Sequence, residues 1–236
     1  WKVFAKRDEL VSKTFQESTN FTVCLVMDVS ASMGYEGKRA SCSKLRYASM
    51  LAACFSYLAH RQGDRLGLFA YSDEVKEWIR PRAGSGQLNR IYSALHGLEA
   101  QGVNAHDFGW DRMVSGLPGR AMVVFLSDFL EAEDSLAEKL RFSLSSRYET
   151  LCLQVLDPDE IDLPEADALR FAELEGNREV STSPPAIREK YKNEMAGFVE
   201  DLDEKLSAVS AELETLITNQ DLGYALRRFL GMRNRK

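Results

Sequence analysis

The sequence predicts an α/β fold: a doubly wound, mainly parallel sheet flanked by helices, with a C-terminal helical extension. Two observations predict it. Apolar runs of strand length alternate with helical patterns between residues 21 and 157, as in sheets built from repeated β–α units. Three of these runs, "FTVCLVMD", "AMVVFLSD" and "ETLCLQVLD", are almost continuously apolar, which is typical of strands buried on both faces.

The elements follow in chain order. Strands are predicted at Phe21–Asp28, Arg65–Ser72, Ala121–Ser127 and Tyr148–Leu156, where β-branched or apolar residues are bounded by polar ones. The stretch "YSDEVKEWIRP" predicts an additional antiparallel strand at the sheet edge. Helical spacing is predicted at Ser43–Arg61, Gln87–Leu98, Asp107–Val114 and Ser135–Ser145.

The pattern changes after Asp157. Two short strands, "ALRFAELE" and "REVSTS", surround a Gly-Asn turn pair. The pair Pro184-Pro185 then introduces a long amphipathic helix, predicted from about Ala186 to Ile217, and a short helix with a basic tail ends the chain. We therefore expect a lead-in segment over 1–20, an α/β core over 21–157, and a C-terminal part over 158–236 that packs on the core.

Composition limits the function classes. The chain has 236 residues, 44% of them hydrophobic, and a net charge of −6, whereas nucleic-acid-binding surfaces need a basic excess. No apolar run has the length of a membrane span. Four cysteines without a CxxC pair indicate reduced thiols and a cytoplasmic location. We expect no nucleic-acid partner and no membrane contact by this segment, and the opening Trp1 suggests a fragment of a longer protein.

The sharpest motif is "DVSAS", which follows the first buried strand and carries Asp28, Ser30 and Ser32 at alternate positions. Asp128 ends another buried strand in the same way. Because ligands of doubly wound sheets gather at the carboxyl ends of the strands, we expect these side chains to converge there. Carboxylate and hydroxyl oxygens suit Mg²⁺ or Mn²⁺. In the alternative interpretation, Asp28 and Ser30 only cap a turn or the next helix.

"DVSAS" is similar to the D-x-S-x-S metal-ion-dependent adhesion site of von Willebrand factor A (vWA) domains. The stretches "WKVFAKRDELVSKTFQESTNFTVCLVMDVSASMG", "KLRYASMLAACFSYLAHRQGDRLGLFAYSDEV" and "LGYALRRFLGMR" resemble the DUF58 family of bacterial A-domain proteins over nearly the whole chain. The resemblance implies a metal-dependent protein-interaction module. It also implies a MoxR-type AAA+ ATPase as partner, and a role in assembling or maturing another protein complex.

The third metal loop departs from the family pattern, which places a Thr there. In "EAQGVNAHDFGWD" the position falls on His106 if "HDFGW" sets the alignment, or on Asn104 if the preceding glycine does. An imidazole favours Zn²⁺ or Ni²⁺, whereas an amide oxygen remains acceptable to Mg²⁺. In a third possibility, this loop does not reach the ion.

The loops around the motif are expected to form the partner face, with Tyr35, Trp110 and Phe129 as exposed aromatic anchors. We do not expect an enzyme, because no G-x-S-x-G elbow surrounds the serines and no G-x-x-x-x-G-K-[ST] phosphate loop is present. A metal-dependent hydrolase and a structural domain with a vestigial site are the two alternatives.

Overall fold

The structure is a computed structural model, and it describes residues 21–103, 110–130, 148–165, 169–172, 179–182, 184–224 and 226–227. Its strands are β1 (Thr22–Asp28), β2 (Arg65–Tyr71), β3 (Val75–Arg82), β4 (Ala121–Ser127), β5 (Tyr148–Leu156), β6 (Leu169–Ala172), β7 (Glu179–Thr182) and β8 (Ala211–Ile217). Its α-helices are α1 (Lys44–Arg61), α2 (Ser85–Gly97), α3 (Trp110–Ser115), α4 (Pro158–Ile161) and α5 (Pro184–Ser207). A 3₁₀ turn spans Ala31–Gly34.

Six strands form one sheet in the order β3-β2-β1-β4-β5-β8. Only the pair β2–β3 is antiparallel, and every other neighbouring pair in this sheet runs parallel. The registers align Met27 of β1 with Ala70 on one side and Leu126 on the other. The mainly parallel sheet and its antiparallel edge strand are therefore confirmed, and the carboxyl ends of β1 and β4 meet at one edge.

Helices cover both faces of the sheet. Alternate residues of β1 enter opposite halves of the core: Leu25 packs in the half that contains α1 and α2, and Val26 in the half that contains α5. Side chains of a strand point alternately to the two faces, so a strand that is buried at every position needs an apolar layer on each side. This double coverage explains the continuous apolar runs in the sequence.

The C-terminal part corrects one prediction. Helix α5 ends at Ser207 rather than continuing to Ile217, and Ala211–Ile217 forms β8, parallel to β5. A turn over residues 208–210, with Ser210 at φ 61, separates the two elements. The helical spacing of Leu213 and Leu216 was misleading, because β5 offered an unpaired edge whose backbone groups β8 satisfies.

Some of the other predicted elements lie within the residues that the structure describes, and some lie outside them. The short strands after residue 165 are present as the antiparallel pair β6–β7. The helix predicted at Ser135–Ser145, and most of the terminal helix and basic tail, lie outside the described residues. All four cysteines are free thiols, and those of Cys24 and Cys152 are buried. In the part of the chain that the structure describes, no helix has the length and apolarity needed to cross a membrane.

Candidate metal-binding site

The "DVSAS" motif lies at the carboxyl end of β1, in a tight backbone turn. The Ser30 amide donates a hydrogen bond of 2.9 Å to Asp28 Oδ1, and the 3₁₀ turn that follows brings Ser32 back toward Ser30. Their hydroxyl oxygens are 3.1 Å apart. From the neighbouring strand β4, the Ser127 hydroxyl donates a 2.6 Å hydrogen bond to Asp28 Oδ2. The structure thus brings together the three residues of the predicted motif, and adds a serine that the sequence analysis missed.

Asp128 lies one residue beyond the end of β4, beside this turn. Asp28 and Asp128 are both buried. Burial, and next the repulsion from Asp128, raise the pKa of the Asp28 carboxyl from 3.8 to about 7. Hydrogen bonds from Ser127 and Ser30 act in the opposite direction. Two adjacent buried carboxylates are costly when both are ionised, and a cation placed between them would relieve that cost.

Lys44, which the sequence did not single out, also lies at the site and pairs with Asp128. Its ammonium donates to Asp128 Oδ2 at 2.8 Å and to Glu160 Oε1 at 2.5 Å, and its side chain is fully buried. Burial lowers the pKa of Lys44, but the two carboxylates together raise it above the ordinary value. A clue was present, since Lys44 precedes Tyr47 and Ala48 at helical spacing and so lies on the buried face of α1.

The loop after β5 holds the motif loop in place. Asp157 caps α4 and also accepts a 2.8 Å hydrogen bond from the Gly37 amide. Arg39 pairs with Asp159 at 2.6 Å and donates to the carbonyl oxygens of Pro158, at 2.8 Å, and Asp162. A Cβ at Gly37 would collide with the Asp157 and Asp159 carboxylates, so this close approach requires glycine.

The third loop begins beside the motif. The Ala31 amide donates to the Gly102 carbonyl at 2.9 Å, and the Gln101 amide donates to the Val29 carbonyl at 2.8 Å. Gly102 has φ 82, a left-handed conformation that favours glycine. His106 and Asn104 lie outside the described residues, so the choice between them stays a prediction.

The donor set suits a hard cation. Asp28, Ser30 and Ser32 offer one carboxylate and two hydroxyls, and Asp128 adds a second carboxylate; oxygen ligands of this kind are those that Mg²⁺ and Mn²⁺ accept. Among the described residues, no group of three or more His, Cys, Asp or Glu side chains could hold a metal ion. Any divalent ion bound here would therefore depend on the hydroxyls and on water.

The structure describes the side chains of two of the three predicted aromatic anchors, Tyr35 and Phe129. Tyr35 is half-buried next to the motif. The prediction that Phe129 is exposed is wrong: its side chain is fully buried in the core half that contains Val26, at φ 57. Burial of this apolar ring removes its surface from water, which lowers the free energy of the folded protein. Trp110 begins α3, and its side chain is not among those the structure describes.

Comparison with known proteins identifies the family to which the chain belongs. The family model "Protein of unknown function DUF58" matches residues 1–198. The chain belongs to the DUF58 family. Among curated relatives, the uncharacterized protein Rv1480 of Mycobacterium tuberculosis and Mb1516 of Mycobacterium bovis are each 25% identical over 240 residues, which cover 100% of this chain and 74% of theirs.

Two solved structures from Bacteroides share the fold. The chain is similar to the conserved hypothetical protein BatB from Bacteroides thetaiotaomicron, with a TM-score of 0.60, 14% identity, and coverage of 92% of this chain and 100% of that one. An aerotolerance-related membrane protein from Bacteroides fragilis gives a TM-score of 0.63, 15% identity and the same coverage. These likenesses agree with the α/β fold that the alternating apolar runs predicted.

Proposed function

We propose that this DUF58 chain is a metal-ion-dependent protein-interaction module of the vWA type. The observation that carries the proposal is the turn after β1, in which Asp28 and Ser30 are held by backbone and side-chain hydrogen bonds and the Ser30 and Ser32 hydroxyls lie 3.1 Å apart. Mg²⁺ or Mn²⁺ would bind there, and Asp128 would contribute directly or through water. Such an ion keeps open positions and residual positive charge, which favour an acidic side chain of a partner.

The partner surface would consist of the loops at the carboxyl edge of the sheet. Tyr35 and the neighbouring Arg39 lie on the motif loop, and Trp110 begins the helix that follows the third loop. Resemblance to the family supports a MoxR-type AAA+ ATPase as the partner and assembly or maturation of a protein complex as the role. The four cysteines without a CxxC pair favour a cytoplasmic location. Binding, rather than catalysis, is the function proposed.

A pull-down tests this function. Wild type, Asp28→Ala and the matched control Asp203→Ala, which removes an exposed carboxylate from α5, serve as baits with Mg²⁺ or with EDTA. We expect wild type and Asp203→Ala to retain an AAA+ ATPase, identified by mass spectrometry, only with Mg²⁺, and Asp28→Ala to retain none. Retention that is equal in EDTA, or equal for Asp28→Ala, would contradict metal-dependent binding.

A further inference from the structure

Lys44 places a permanent positive charge inside the candidate metal site. Its side chain is 0% exposed, and its two partners, Asp128 and Glu160, are only 2% and 17% exposed. An ammonium buried to this degree is tolerated only when it is paired. The 2.8 Å distance to Asp128 is that of a charge-assisted hydrogen bond, and Glu160 lies closer still, at 2.5 Å. The ion pair is thus buried within the site and is not a surface contact.

The pairing changes what Asp128 can offer a metal ion. Its Oδ2 accepts from Lys44, and its Oδ1 accepts from the Leu130 amide at 3.2 Å. A carboxylate whose charge is compensated by an ammonium attracts a divalent cation less, and the ammonium itself repels that cation through a poorly screened interior.

We propose that Lys44 is a built-in cation of the site, which keeps Asp128 from coordinating a divalent ion directly and so holds the metal affinity low. The ion would then depend on Asp28, Ser30 and Ser32, and a carboxylate from the partner would complete its shell. Metal binding and partner binding would strengthen each other, because each supplies what the other lacks. This inference rests on the metal site of the proposed function.

The test is a titration of Mn²⁺ into the purified chain, with free Mn²⁺ measured by electron paramagnetic resonance. The informative variant is the double substitution Lys44→Gln with Glu160→Gln. It keeps the net charge of the Lys44–Asp128–Glu160 cluster at minus one and leaves Asp128 as its one carboxylate, without the ammonium. The matched control is Glu160→Gln alone, in which Lys44 still pairs with Asp128.

We expect the double variant to bind Mn²⁺ at least about tenfold more tightly than wild type, since it frees one ligand and removes one repelling charge. Glu160→Gln alone should stay within about threefold of wild type, because it keeps the ammonium on Asp128. Adding Asp128→Asn should abolish the gain in the double variant. A folded double variant with wild-type affinity would overturn the inference.

Two further measurements keep the result decisive. If the double variant does not fold by circular dichroism, Asp128→Asn alone is used: a change below about threefold supports the inference, and a tenfold loss overturns it. Asp28→Ala separates this inference from the proposed function. Mn²⁺ binding that requires Asp28 but ignores Lys44 would leave the function standing without the inference. Binding that appears only when Lys44 is removed would support the inference and contradict the metal-dependent function.

Discussion

Asp28→Asn tests the electrostatics of the site through the pH dependence of stability. In the folded protein, burial and then repulsion from Asp128 raise the pKa of Asp28 to about 7, whereas 3.8 is the ordinary value that applies to the unfolded chain. A raised pKa means that the folded state holds the proton more tightly. The stability that this proton contributes is complete below the unfolded pKa and is lost as the pH rises through the folded one. Without a divalent cation, wild type should therefore lose stability between about pH 4 and pH 7.

The magnitude follows from the two pKa values. The gap between 3.8 and about 7 corresponds to about 4 kcal/mol of unfolding free energy. Asparagine has no such titration and preserves the local geometry. Its Oδ1 can accept from the Ser30 amide and its Nδ2 can donate to the Ser127 hydroxyl, replacing the 2.9 Å and 2.6 Å hydrogen bonds of the aspartate. The variant thus removes the charge while it keeps the contacts.

The assay is urea unfolding in EDTA, followed by tryptophan fluorescence, at several values of pH from 4 to 8. The unfolding free energy of wild type minus that of Asp28→Asn should fall by about 3 to 4 kcal/mol over this range. Parallel pH profiles of the two proteins would refute the reasoning, because they would show that Asp28 titrates normally. At pH 8, Mg²⁺ at a hundredfold excess over its dissociation constant should return about 2.7 kcal/mol to wild type and nothing to Asp28→Asn.

Three other predictions concern the third loop, the core and the partner face. In calorimetric titration, His106→Thr should bind Mg²⁺ more tightly than wild type if His106 faces the cation, and Asn104→Thr should do so if Asn104 faces it. Identical curves for both variants and wild type would mean that neither residue reaches the cation. Phe129→Ala should lower the unfolding free energy by about 3 to 5 kcal/mol in urea, since the ring is fully buried, and a loss under about 1 kcal/mol would contradict that packing. Replacing Tyr35 and Trp110 together by alanine should weaken partner binding at least about tenfold in pull-down titrations, with an unchanged melting temperature; full retention of the partner would move the partner face elsewhere.

Local patterns were sufficient for five of the six strands of the sheet, all but β8. The run from Phe21 to Asp28 was predicted as a buried strand because it is almost continuously apolar. Strand β1 is indeed buried at each of its positions. The helix after the motif could also be predicted from local sequence. Ser43 caps α1, and its side chain accepts a hydrogen bond from the Arg46 amide. Hydrophobic period and helix caps are properties of neighbouring residues, so a sequence displays them directly.

Tertiary structure decided the features that depend on distant residues. Ala211–Ile217 became a strand because the open edge of β5 was available to it, which its own helical spacing does not reveal. Phe129 is buried for a similar reason: its ring packs in the core half that contains Val26, among residues from distant parts of the chain.

The sequence by itself determined the α/β class and the position of Asp28, Ser30 and Ser32 at the end of a strand, because periodicity and motif spacing act within a few residues. Only the tertiary structure decided that Lys44 would meet Asp128, 84 positions further along the chain, and Glu160, 116 positions away. Parallel strands gather their carboxyl ends at one edge, and the charges that meet there come from segments that no local pattern connects.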